Sequence, residues 1–118
     1  MAKHNNLGKE GEKLAVIWFA DKGYEILHCN WRHSYYEIDI VACKENILHF
    51  IEVKTRSNNA HGYPEESVGK KKLENLMKAA EEFLDQFPEW KRIQFDVLSI
   101  SVNKYRADEY FLIEDVTL

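Results

Sequence analysis

The stretch EIDIVACKENILHFIEVK, residues 37–54, decides how this chain folds. Two apolar-rich runs flank a polar break at Glu45-Asn46, the pattern of two strands joined by a two-residue hairpin turn. Strand side chains alternate between faces. On the first arm Ile38, Ile40 and Ala42 are expected to share one face, and Glu37, Asp39 and Val41 the other. On the second arm Leu48, Phe50, Glu52, Lys54 and Arg56 share a face, opposite Ile47, Ile51 and Val53. With the turn at 45–46, paired positions sum to 91, which sets Asp39 opposite Glu52 and Glu37 opposite Lys54.

Directly opposed strand residues have Cβ atoms about 5 Å apart, so two carboxylates placed there repel. One explanation is an exposed sheet face, with Glu37 and Lys54 as a cross-strand ion pair. It does not account for the large apolar residues on both faces of the hairpin, which suit a sheet covered on both sides. Acids in such a setting call for a cation, and oxygen ligands with open positions suit Mg²⁺ or Mn²⁺. Lys54 would stand about 6.5 Å beyond Glu52 on the same face. Paired acids with a nearby ammonium suit phosphodiester hydrolysis, in which a metal polarises the phosphoryl group and a cation offsets developing charge.

Outward from the hairpin, residues 6–22 place Leu7, Leu14, Ala15, Trp18 and Phe19 at helical spacing, with Asn5 or Asn6 as N-cap and Gly23 as stop. YEILHCNWRH reads as a strand. SNNAHGYPEES is turn chemistry, and Pro64 opens a second helix with Val68, Leu76, Ala80, Phe83, Leu84 and Phe87 on its apolar face, ended by Pro88. RIQFDVLSISV and EYFLIEDV read as two more strands. The order α-β-β-β-α-β-β predicts an α/β sandwich with a central mixed sheet flanked by helices.

At 118 residues the chain is expected to form a single domain, 1–118, with a globular balance of 45% hydrophobic and 31% charged residues. No apolar run reaches the ~18 residues of a membrane span, and the N-terminus shows no signal-peptide pattern, so a cytoplasmic protein without membrane contact is expected. Cys29 and Cys43 lack CxxC spacing and are expected to be reduced core thiols. The net charge of −4 resides in the last twelve residues, which carry Asp108, Glu109, Glu114 and Asp115 with no base. The body is balanced, so a local basic patch such as Lys70, Lys71 and Lys72 is free to face a polyanion, although such a triplet also fits a solvated helix face. The five histidines show no metal-ligand spacing.

Asp39, twelve intervening residues, then Glu52-Val53-Lys54 resembles the PD-(D/E)XK pattern of restriction-endonuclease-like proteins. The context is more specific. GKEGEKLA with Glu12, NWR (30–32), EIDIV (37–41), HFIEVKTRS (49–57), GYPEESV (62–68), Lys72 and FDV (95–97) fall in the order and spacing of the YraN-like proteins. These are small predicted bacterial endonucleases similar in fold to archaeal Holliday-junction resolvases, and the resemblance covers roughly residues 5–115. It implies a restriction-endonuclease-like three-layer sandwich and a Mg²⁺-dependent nuclease acting on DNA, branched forms included. Asp39 and Glu52 would be metal ligands, Glu12 would complete the acidic cluster, and Lys54 would be the catalytic lysine.

The residues support the Glu12 assignment. At 100° per residue Glu12 projects within about 20° of Phe19 and 40° of Val16, on the flank of the apolar face. Gly8 and Gly11 would permit close helix–sheet approach. A first-turn glutamate meeting the helix dipole is the plainer alternative. Arg32, Arg56, Lys70, Lys71 and Lys72, with Tyr35, Tyr36 and Tyr63, are expected to form a nucleic-acid surface. Where the YraN-like proteins usually carry a glycine before E-I-D this chain has Tyr36, and Gln94 replaces a usual arginine before F-D-V. Resolvase-like folds often dimerise, so a homodimer through Trp31, Trp90 or the tail is among the expectations. The competing functional class is a catalytically weak or inactive nucleic-acid-binding module of the same fold.

Overall fold

The computed structural model describes residues 3–57 and 69–116. Its elements run α1 (Lys3–Asp21), β1 (Glu25–His33), β2 (Tyr36–Lys44), β3 (Ile47–Ser57), α2 (Lys70–Gln86), β4 (Ile93–Val102) and β5 (Glu109–Ile113). The five strands form one sheet in chain order. β1, β2 and β3 are antiparallel, β3 and β4 parallel, and β4 and β5 antiparallel. The parallel step requires a crossover, and α2 supplies it. The result is the expected three-layer α/β arrangement with a mixed sheet.

The hairpin turn has its predicted form. Glu45 (φ 53°) and Asn46 (φ 66°) both lie in the left-handed region, as a type I′ turn requires. The β2–β3 register runs from Lys44↔Ile47 to Ile40↔Ile51, the pairing sum expected from the sequence. At the far end the ladder stops short of Asp39, and the backbone N–H of Val53 donates to Asp39 Oδ2 at 2.8 Å. Strict alternation fails at the same place. Ile40 and Ala42 join the core beneath α1, with Ala15, Phe19, Ile51 and Leu98. Ile38, expected beside them, joins Val41, Leu48 and Phe50 in the core beneath α2. The switch coincides with the end of the β2–β3 ladder, while the β1–β2 pairing keeps one register across residue 39, from Cys29↔Ile40 to Trp31↔Ile38. There β2 and β3 part, and the sheet opens where the acids stand.

Each helix covers one face. α1 ends in a Schellman motif: Tyr24 N–H donates to Phe19 O at 3.0 Å and Gly23 N–H to Ala20 O at 3.1 Å, with Gly23 at φ 93°. The rings of Phe19 and Tyr24 then meet edge to face, 4.8 Å apart. α1 begins at Lys3, so Asn5 and Asn6 lie inside it rather than capping it. Of the two glycines expected to allow close approach, only Gly11 does so. A Cβ there would meet Thr55 Oγ1 on β3, whereas one on Gly8 would meet nothing. α2 buries Leu76, Ala79, Ala80 and Phe83, and ends one residue before Phe87, whose N–H donates to Phe83 O, just ahead of Pro88. The expected start of this helix at Pro64, with Val68 and Tyr63, lies outside the described residues. Cys29 is exposed on the edge strand β1 rather than in the core; Cys43 is half-buried, and both are free thiols. Among the described residues no helix is long and apolar enough to cross a membrane.

Candidate active site

The opening between β2 and β3 forms a cavity of about 380 Å³ reached by both helix layers. α1 contributes Glu12, β2 contributes Glu37 and Asp39, β3 contributes Glu52, and α2 contributes Lys72 and Asn75. The sequence thus brings Glu12, Asp39 and Glu52 to one place. Glu12 lies on a helix flank rather than in solvent because Gly11 draws α1 against Thr55.

The electrostatics of this cavity are those of crowded acids. Asp39 is pushed up to about 8, first by burial, then by the charge of Glu52, with Glu12 and Glu37 adding to it. The Val53 N–H opposes the shift without cancelling it. Glu52 is also raised by burial, offset chiefly by the Lys72 ammonium and then by Lys54. Lys72 Nζ stands 3.5 Å from Glu52 Oε2, with the Glu52 side chain 15% exposed. Lys72, expected on a phosphate-facing surface, is therefore a wall of the acid cavity. α2 packs mainly over β2, and Lys72, itself half-exposed, reaches Glu52 from its first turn.

Lys54 acts on Glu52 from further along β3 and does not itself line the cavity. Among the described residues it makes no ion pair. The Glu37–Lys54 pair is not formed, because Glu37 Oε1 instead accepts from Arg32 Nη2 of β1 at 3.1 Å. Arg32 is otherwise exposed. Lys70 and Lys71 are exposed on the first turn of α2, and Arg56 is half-buried beyond Lys54 on β3. Tyr35 at the β1–β2 turn is 94% exposed at the cavity mouth. Tyr36 lines the same cavity, with Lys78 Nζ 5.8 Å from its ring centre.

Among the described residues no three His, Cys, Asp or Glu side chains converge as a complete metal cage. The donor set still fits one kind of ion. Mg²⁺ keeps several of its waters and is commonly held by one or two carboxylates, so Asp39 and Glu52 suffice, with Glu12 across the cavity. Burial and then the Glu52 charge raise Asp39 to about 8, so near neutral pH a cation would have to displace its proton, and its positive charge would relieve the repulsion between the two acids.

Residues 11–100 match the model of the uncharacterised protein family UPF0102. The chain belongs to this family. It is 44% identical over 100 residues to a UPF0102 protein of Bacteroides thetaiotaomicron, covering 85% of this chain and 83% of that one. It is 43% identical over 114 residues to one of Flavobacterium psychrophilum, covering 97% and 92%. A UPF0102 protein of Flavobacterium johnsoniae is 41% identical over 121 aligned positions, covering 99% and 95%. The matched span includes Glu12, Asp39, Glu52, Lys54 and Lys72 of this chain.

Two site features escaped the sequence reading. Asn75 enters the cavity three residues after Lys72, on the same helix face, a spacing that was available as a signal. The other is a buried pair on the α1 side of the sheet, towards the hairpin turn: His49 Nδ1 and Asp96 Oδ2 are 2.6 Å apart, with His49 4% and Asp96 0% exposed. Asp96 Oδ1 also accepts from Gln94 Nε2 and from the Asp115 N–H, each at 2.9 Å, and so ties the chain end to β4. No spacing rule links 49 to 96, because only the parallel β3–β4 ladder brings them together.

Proposed function

We propose that this protein is a metal-dependent nuclease of PD-(D/E)XK type that hydrolyses DNA phosphodiester bonds. The observation that carries the reading is the convergence of Asp39 and Glu52 where β2 and β3 part, with Asp39 raised to about 8. Residues kept so close despite mutual repulsion are placed for a cation and not for stability. Asp39 and Glu52 would hold Mg²⁺ or Mn²⁺, with Glu12 facing it across the cavity, and the chemistry such an ion supplies is Lewis-acid polarisation of a phosphoryl group. Lys54 would orient the attacking water and offset the charge developing on the phosphate. Lys72 would leave Glu52 for a phosphate oxygen once a cation neutralises that carboxylate. The protein would then act in the cytoplasm.

A nucleic-acid-binding module of the same fold is the second reading. Its support is the Lys72–Glu52 pair, since an ammonium at 3.5 Å already supplies Glu52 with positive charge. A cleavage panel of single-stranded, flapped and four-way-junction DNA in Mg²⁺ and Mn²⁺ separates the two. Under the nuclease reading at least one form is cut, and Lys54→Ala lowers the rate by about 10²-fold or more. Cleavage unchanged in Lys54→Ala, or binding without cleavage of any form, rejects it.

A further inference from the structure

A second cavity, of about 680 Å³, lies on the other side of Glu12 and Glu37, which line both. The balance of charge reverses across that shared wall. The acid cavity sets Glu12, Glu37, Asp39 and Glu52 against Lys72 alone. The second cavity sets Lys9, Lys13 and Arg32 against Glu12 and Glu37, and Arg32 already neutralises Glu37 at 3.1 Å. Lys9 and Lys13 are both exposed and lie one turn apart on α1, so their stems rise from one face about 6 Å apart. Val16, further along α1, and Cys29 from β1 give the cavity an apolar part beside these cations. The Cys29 thiol is pushed up by burial and then by the charge of Glu12, as expected for two groups that share this space.

We propose that this cavity binds an unpaired nucleotide next to the scissile phosphodiester, its phosphate between Lys9 and Lys13 and its base over Val16 and Cys29. The inference rests on the nuclease reading for the word scissile, and on the cavity alone for the nucleotide. A phosphate needs cations, and the acid cavity offers few. The neighbouring cavity has them, together with apolar surface that would be idle against a sugar–phosphate backbone. The volume is in the range that single small ligands fill. Paired bases in a duplex present phosphates and groove edges outward and have no free face to lay on such a surface, whereas an unpaired base does. Tyr35, exposed at the mouth of the acid cavity, offers a stacking face for the next base along the same path. The preferred substrate is therefore a strand with unpaired nucleotides at the cut.

Cys29 is a built-in reporter. Full-length Cys43→Ser protein, metal-free, is treated with iodoacetamide alone, with a ten-nucleotide oligodeoxythymidylate, and with a blunt duplex of equal length. Labelling of Cys29 is followed by mass spectrometry. We expect the single strand at saturation to slow labelling at least 5-fold and the duplex to leave it within 2-fold. Lys9→Gln/Lys13→Gln, with folding checked by an unchanged urea midpoint, should weaken single-strand binding at least 10-fold. It should also flatten the slope of log affinity against log salt by about 0.7, the contribution of one neutralised phosphate on a single strand. Equal labelling with and without bound strand, equal protection by the duplex, or unchanged binding by the double variant overturns the proposal. These results are independent of catalysis. Protection without cleavage would keep the nucleotide site and reject the nuclease; Lys54-dependent cleavage without protection would do the reverse.

Discussion

Asp39→Asn should stabilise the metal-free protein, in a pH-dependent way that a surface carboxylate would not reproduce. Burial and the Glu52 charge raise Asp39 to about 8 from an ordinary value of 3.8. Below pH ~4 the folded and unfolded chains both carry this proton, and the site costs nothing. Between pH ~4 and ~8 the unfolded chain releases the proton while the folded chain keeps it. The wild type then loses stability at about 1.4 kcal/mol per pH unit, and above pH ~8 the loss is constant. At pH 7 this has a ceiling on the order of 4 kcal/mol, which side-chain relaxation and water entry reduce to roughly 1–3 kcal/mol. Asparagine keeps the shape and a carbonyl oxygen for the Val53 N–H, and has no proton to exchange.

Urea midpoints of the two proteins in chelator, at several values between pH 4 and pH 9, read this directly. They should coincide near pH 4 and diverge steadily to pH 8, with the variant more stable. Adding Mg²⁺ at roughly ten times its Kd at pH 7.5 should then stabilise the wild type by about 1.4 kcal/mol and the variant little. Parallel pH curves, with no response to Mg²⁺ in either protein, would show that Asp39 and Glu52 are solvated surface charges and that the site is misassigned.

Other expectations follow from single contacts. Gly11→Ala should destabilise by ~1–2 kcal/mol despite its better helix propensity, because the new Cβ would stand 2.8 Å from Thr55 Cβ and force α1 off β3. Gly8→Ala, with open space around it, should stabilise by ~0.5–1 kcal/mol; thermal melts showing the same sign for both would contradict the close approach. His49→Leu should lower stability by roughly 3–5 kcal/mol, since it leaves the wholly buried Asp96 without its histidine partner, while His49→Gln, which keeps a donor, should lose less. A His49→Leu loss below ~1 kcal/mol in urea titration would mean that Gln94 and the Asp115 N–H satisfy Asp96 alone.

Most of the fold was legible because its signals are local. The Glu45-Asn46 turn fixes register, and register fixes every side chain up to Ile40↔Ile51. The Gly23 stop and the Phe87-Pro88 end of α2 are likewise written in adjacent residues. Reading failed where one contact overrides a period. Ile38 left its expected face because Asp39 accepts a backbone N–H that regular pairing would have engaged. The same departure that spoils the alternation makes the site, since a ladder continued through residue 39 would hold β2 and β3 together and leave no gap for Glu12 to enter from one side and Lys72 from the other.

Lys72 illustrates why roles were harder to read than positions. A lysine triplet at a helix start looks alike at all three places in the sequence, and all three side chains are exposed. Only the fold makes the third different, bringing its ammonium to 3.5 Å from a carboxylate that is 15% exposed. That pairing explains how the metal-free fold tolerates Glu52 beside Asp39: one of the two acids has a cation and keeps its charge more easily, and the other is left to hold a proton. The two acids are thus unequal before any ion arrives. In the proposed nuclease Asp39 would have to lose a proton to take a metal, and Glu52 would have to exchange its lysine for one.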